Sequence, residues 1–338
     1  MAEADYNSGS GYRGRQVGVG IALERDGAAQ SNAEYFYPWM SNSFKDVSEQ
    51  IQNESVFGNI AHYNDQITTS VHGEGDLEAK LWHKGLYYLL ALAFGQLPSH
   101  EEGEDGSHKY TFTMANNNNH LASTMFVSDP KQHKKFPSAM LNEMSLEWTP
   151  EDFAKVTMSM ISKRSIKTNG VVPAYINDKE FKPDQLLFKI ADSVSALDDA
   201  EAAKYFRSAS FTITKNVEGV QASGSGQDYA TLMNGDLEAS FSFEKLRFNT
   251  AFEEMSFGDV QKAVQFGFVD TANSAGTNTP TSLKFTLPKV AFTNYEPSYD
   301  AASNVTESFE GTALLDLASG NLVTAELVTK FEYPSDES

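Results

Sequence analysis

The sequence predicts a β-rich α+β fold built from two tandem, related β-sandwich or partial-barrel units, each with one packed helix. Three observations predict it. Gly75-Asp76-Leu77-Glu78-Ala79 returns unchanged as Gly235-Asp236-Leu237-Glu238-Ala239, 160 positions later in a chain of 338. Each copy leads from apolar positions that alternate, as in a strand, into apolar positions at helical spacing and then a Phe-Gly pair. The remaining chain consists of short alternating runs separated by turn residues, which is the pattern of paired strands and not of crossover units.

In chain order, residues 1–16 form an arm whose Asn7-Ser8-Gly9-Ser10-Gly11 cannot bury enough surface to order itself. Short alternating runs follow from Val17-Gly18-Val19-Gly20-Ile21 to Val56-Phe57, with aromatic residues clustered at Tyr35-Phe36-Tyr37-Pro38-Trp39. Leu77, Ala79 and Leu81 alternate, and Leu86, Leu89, Leu90 and Ala93 then mark one face of a helix. Gly95 is placed to take the left-handed conformation that ends it. Residues 96–108 read as an acidic, solvated loop without a counterpart after the second copy. Tyr110, Phe112 and Met114 predict a strand, as do Leu121, Ser123, Met125 and Val127 beyond the turn at 116–119. Residues 128–139 read as a basic exposed loop, followed by strands through Met144, Leu146 and Trp148 and through Val156, Met158 and Met160.

The first half gives way to the second within 162–184, where Gly170, Pro173 and Pro183 interrupt the pattern. A short helix is expected over 198–206, then a strand at Phe211-Thr212-Ile213. Leu237, Ala239, Phe241 and Phe243 alternate, and Phe248, Ala251, Phe252 and Met255 take helical spacing before Phe257-Gly258. Later strands are expected through Val264, Phe266 and Phe268, through Leu283, Phe285 and Leu287, and over 323–331. The organisation is an arm at 1–16, β domains at 17–169 and 170–334, and a tail at 335–338. A diverged tandem duplication accounts for it.

Composition narrows the function classes. With 40% hydrophobic and 12% aromatic residues the chain folds, and it has no apolar run long enough to cross a bilayer. Its acidic N-terminus lacks the basic start and apolar middle of a secretory signal. The absence of cysteine excludes disulfides and thiol chemistry. A net charge of −20, from 46 acidic and 26 basic side chains, argues against tight binding to phosphate backbones, which requires neutralising them with Lys and Arg.

No catalytic constellation emerges. Gly18-Val19-Gly20 lacks the third glycine and the helix of a dinucleotide fingerprint. His100, Glu101, Glu102, Glu104, Asp105 and His108 lack a fixed metal-ligand spacing and read as a solvated loop. His62, His72 and His83 stand apart and read as structural. Asp76, Glu78, Asp236 and Glu238 occur in both copies, which favours a structural or subunit-contact role over acid-base work. No catalytic residue, metal ligand or cofactor is expected.

In their order, Gly18-Val19-Gly20, Glu54-Ser55-Val56-Phe57-Gly58, the Gly75–Ala79 strand leading to Gly95, Tyr110-Thr111-Phe112 and Ser282-Leu283-Lys284-Phe285-Thr286-Leu287-Pro288 resemble the tail tube proteins of long-tailed, siphovirus-like phages and related archaeal tailed viruses. The resemblance spans about Val17 to Phe331. It implies a virion structural protein, assembled in the host cytoplasm, whose tube domains form stacked rings around a lumen through which DNA passes without specific binding. It also implies self-association, six tube domains to a ring, and contacts with tail terminator, tail tip and tape-measure proteins. Because the sequence carries two copies of the unit, three chains would make a pseudo-sixfold ring; a homohexamer is the alternative.

Ring-to-ring contact is expected from Tyr12, Arg13 and Arg15 in the arm and from Lys131, His133, Lys134 and Lys135 in the basic loop. Two other functions stay open at this point. One is a capsid-decorating or receptor-binding β-sandwich module, and the other a glycan-active enzyme using paired carboxylates.

Overall fold

The computed structural model describes residues 12–258 and 260–334. The first half contains β1 (Gly18–Leu23), β2 (Tyr35–Tyr37), β3 (Trp39–Asn42), β4 (Lys45–Asn53) and β5 (Asp65–Lys80), then helix α1 (Leu86–Phe94). It continues with β6 (Ser99–Glu102), β7 (His108–Thr113), β8 (Ser123–Ser128), β9 (His133–Trp148), β10 (Lys155–Lys163) and β11 (Ile166–Thr168). The second half contains β12 (Leu186–Ala191), β13 (Phe206–Thr214), β14 (Glu218–Val220), β15 (Thr231–Met233), β16 (Glu238–Leu246) and helix α2 (Ala251–Phe257). It ends with β17 (Gln261–Ser274), β18 (Pro280–Ser298), β19 (Thr306–Ala313) and β20 (Thr324–Thr329).

One antiparallel sheet runs through both halves. Its order is β3 and β4 beside β5, then β10, β9, β13, β16, β19 and β18. β9 and β18 each serve two layers. The first part of β9 pairs with β8 and β11, and the rest with β10 and β13. β18 likewise pairs with β17 and β20 before it reaches β19. Pairing in the first half runs β1-β8-β9-β10-β5 and on to β3 and β4; in the second it runs β12-β17-β18-β19-β16-β13. The strand order is the same in both.

The repeated pentapeptides do not sit at equivalent positions. Gly75 to Ala79 lies wholly within β5, close to α1, whereas Gly235 to Leu237 precedes β16 and only Glu238 and Ala239 enter it. Strand order is therefore the deeper likeness between the halves, and the identical five residues are not in structural register.

α1 has no charged residue, and all nine of its positions are buried, not just the face that the spacing marks. A helix apolar all round must be enclosed all round, and strands of both layers meet it. Tyr87 stacks on Tyr333 from the end of the chain, with centroids 4.0 Å apart. Gly95 ends the helix at φ 75°, and a Cβ there would strike the His120 ring. In α2 only Phe252 is buried, and Gly258 is extended at φ −95°, so the left-handed cap occurs in the first copy and not in the second.

Other expectations are corrected. Residues 198–206 form no helix, and Phe206 already begins β13. Residues 96–108 are not a loop: β6 and β7 form a hairpin, and β7 pairs with β20 of the second half. At its tip Asp105 accepts hydrogen bonds from the Ser107 and Thr279 hydroxyls, at 2.6 and 2.7 Å, tying the insertion to the turn between β17 and β18. The basic stretch is a loop only as far as Gln132, since β9 begins at His133. Buried apolar residues of both halves form one contiguous core, in which Phe94 and Phe112 share a cluster with Phe243, Phe285 and Leu327.

Candidate assembly surfaces

The halves meet at a seam between β9 and β13, where Ala209 to Thr214 pair with Trp148 to Glu143 in unbroken register. Side chains alternate across it. Phe211 and Ile213 turn into the core with Leu146 and Met144, while Thr212 and Ser145 face the other way, their hydroxyls 3.3 Å apart. Over 143–148, β9 is thus flanked by β10 on one side and β13 on the other. At the far end of the sheet, residues 293–298 of β18 have β19 on one side and no strand on the other among the described residues. At the opposite end, β3 and β4 pair only with β5. Two unpaired strand edges therefore bound the long sheet.

The face of this sheet turned away from the core is polar. It carries Asp76, Glu78, Glu143, Glu147, Glu238, Glu244, Glu296 and Glu310 among Ser and Thr, against Lys45, Lys80, Lys155 and Lys163. Strict alternation along each strand produces this, because every second residue is committed to the core.

The β4–β5 hairpin projects at one end of the sheet. Val56, Phe57, Ile60 and Tyr63 at its tip are exposed, Phe57 by 68% and Ile60 completely. At the opposite end of the strands, beyond β13, β16 and β18, Tyr205 packs on Phe248 with centroids 4.8 Å apart, and Tyr299 is exposed beside Arg247. These exposed apolar groups at the two ends of the sheet are candidate contact surfaces. The hairpin was not among the residues expected to make contacts. Its available signal is the apolar Val56-Phe57 and Ile60 within a stretch that has no Lys or Arg between Lys45 and Lys80.

The loop between β13 and β16 does not project in this way. It folds onto β5, where Tyr229 stacks on His72 with centroids 4.8 Å apart and Gln227 receives the Val71 N–H at 2.8 Å. Buried polar groups of the two halves also meet. His83 lies 3.6 Å from the fully buried Asp270, and burial pushes the imidazole down to about 4. Lys215, just past β13, reaches the last turn of α1, and burial lowers its amine to about 7.

Tyr12, Arg13 and Arg15 are exposed at the root of the arm, around a single turn of 3-10 helix. Gly18 pairs with Ser128 and Ser128 with His133, so the structure brings this root beside the basic stretch. Lys131 is exposed in the turn before β9. His133 contacts the Ser128 hydroxyl at 2.8 Å, Lys134 pairs with Asp46 at 2.8 Å, and Lys135 donates to the Gln30 carbonyl at 3.2 Å. These three side chains thus have partners within their own chain. His100 and His108 touch at 3.0 Å on the β6–β7 hairpin, and among the described residues no three His, Asp or Glu converge.

No curated protein matches this chain. Among solved structures, one titled "Crystal structure of Hcp protein" is similar over 42% of this chain and 96% of its own, at 14% identity and a TM-score of 0.22, which supports no further argument. A family model described as phage tail tube protein matches residues 14–313, nearly the whole of the chain that forms the two strand sets and the seam between them. The chain accordingly belongs to the phage tail tube protein family and is a structural component of the virion tail.

Proposed function

We propose that three copies of this chain close into a ring whose wall is one continuous barrel, and that rings stack into the conduit through which DNA leaves the virion. The observation that carries this is the β9–β13 seam. Two sheets of the same strand order are already joined edge to edge within one chain, and equivalent edges are left open at both ends. Open edges of this length expose unpaired backbone groups, and closing a barrel removes them. Each half, 17–169 and 170–334, then supplies one tube domain as the product of a tandem duplication, so six domains come from three chains. The polar, predominantly acidic face lines the lumen. It offers phosphate few cations to bind and lets DNA slide.

Stacking is assigned to the projecting β4–β5 tip, assisted by the arm with Tyr12, Arg13 and Arg15 and by the neighbouring Lys131, His133, Lys134 and Lys135. The tip and the Tyr205, Phe248 and Tyr299 surface lie at opposite ends of the sheet, which suits head-to-tail association and hence an open polymer. Terminator, tip and tape-measure proteins would meet the ends and lumen of that polymer, which forms in the host cytoplasm. Native mass spectrometry tests the ring: a species of about 112 kDa, three times the 37.2 kDa chain, is expected. A closed ring of six chains would mean that only one half of each chain lines the tube.

A further inference from the structure

We infer that neighbouring chains in the ring meet in one defined register, residues 42–45 of one chain antiparallel to residues 296–299 of the next, with Lys45 directly opposite Glu296 of the partner subunit. The partner is a second copy of this chain, and the inference rests on the ring proposed above. Its template is the seam inside the chain.

The pairing itself sets the correspondence between the halves. Lys155, the first residue of β10, lies between Glu147 of β9 and Lys80 of β5. Thr306, the first residue of β19, lies between Ser298 of β18 and Leu246 of β16. Glu147 therefore corresponds to Ser298, and Lys80 to Leu246. One step along β9, Trp148 corresponds to Tyr299; three steps back along β5 and β16, Leu77 corresponds to Phe243.

In the seam Ala209 sits between Phe243 and Trp148. Leu77, the counterpart of Phe243, pairs with Asn42. Asn42 thus stands where Ala209 stands, and its missing partner is Tyr299 of the partner subunit. Continuing antiparallel, Ser43 meets the partner's Ser298, Phe44 the partner's Pro297 and Lys45 the partner's Glu296.

Side-chain chemistry agrees with this register at its last two pairs. Phe44 is buried and Pro297 half-buried, matching Phe211 and Leu146 on the core side of the seam. Lys45 and Glu296 are exposed on the polar side, where the seam has Thr212 and Ser145. Among the described residues, neither Lys45 nor Glu296 takes part in an ion pair within its own chain. Opposite charges directly across an antiparallel pair stabilise it, and a slip of one residue would turn Phe44 toward the polar side.

Zero-length carbodiimide cross-linking of assembled wild-type protein, read by peptide mass spectrometry, tests the register directly. A Lys45–Glu296 link between chains is expected, and rings in which Lys45 links to other acids instead would overturn it. Lys45→Glu and Glu296→Lys should each reduce ring formation at least tenfold, and the double exchange should restore it. Glu296 is exposed and faces Ser308 within its own chain, so thermal unfolding of the single chain should be unaffected in Glu296→Lys, whereas Lys45 also faces Glu74 across β5 and Lys45→Glu should lower the unfolding temperature slightly. Rings that form equally well in all three variants would also refute the register. A wild-type protein that remains a single chain in native mass spectrometry would instead defeat the ring itself.

Discussion

Lys215 Nζ donates a hydrogen bond to the backbone carbonyl oxygen of Leu92 across 2.7 Å, in a site with no solvent exposure. It joins the end of β13 in the second half to the last turn of α1 in the first. A helix leaves its final carbonyls without internal partners, and a lysine there satisfies one of them.

The cost of that contact depends on pH. Burial lowers the amine from 10.5 to about 7, so between those values the unfolded chain holds a proton that the folded one does not. Stability from this group is therefore lost at about 1.4 kcal/mol per unit as pH falls from 10.5 to 7, and is level below that. Lys215→Met should remove this dependence. In chemical denaturation the variant is expected to gain on the wild type steadily from pH 10 to pH 7, and a constant difference would show that the amine does not titrate in this window.

Gly75 lies at φ +150°, and a Cβ there would come within 2.5 Å of Phe44 Cα, a backbone atom that cannot swing away. Gly75→Ala should cost about 1–3 kcal/mol, as expected where strain and a backbone collision coincide. The readout is the denaturation midpoint. Because Phe44 belongs to the proposed contact between chains, ring formation should fall with it.

Phe57→Ser combined with Ile60→Ser alters side chains with almost no contacts in the chain, so folding stability should change by no more than about 0.5 kcal/mol. Rings should form and fail to stack, giving isolated annuli in electron micrographs. Full-length tubes from this variant would assign stacking to the arm and basic stretch alone.

Assembled tubes should not retard double-stranded DNA at physiological salt, because acids outnumber lysines on the polar face of the long sheet. Glu143→Lys with Glu147→Lys and Glu244→Lys should create retardation that weakens steeply with added salt. Equal retardation by wild type and variant would place this face away from the lumen.

Local pattern made much of this molecule legible before its structure. Strands through Leu77 and Ala79, through Met144 and Leu146, and through Val156 and Met158 follow from alternation, and α1 from Leu86 to Phe94 follows from helical spacing, because each element must commit one face to a core. The family resemblance was readable for the same reason, as an ordered series of strand and turn signals. Where a pattern was only compositional it misled. The acidic 96–108 segment reads as a solvated loop and is exposed over 99–102, but it forms a hairpin on the sheet of the other half, and the basic loop is largely the start of β9, because pairing partners distant in sequence supply the hydrogen bonds that local composition does not reveal.

The sequence by itself determined that this is an acidic, cysteine-free, strand-rich chain. Only the tertiary structure decided how its two halves relate. The repeated pentapeptide promised equivalent positions and did not have them, whereas the repeated pairing order, invisible in the residues, places Ala209 against Trp148 and leaves the edges at Asn42 and Tyr299 open. The physical reason is that a strand's own residues specify which face is buried, while its neighbours and register are chosen by the whole sheet.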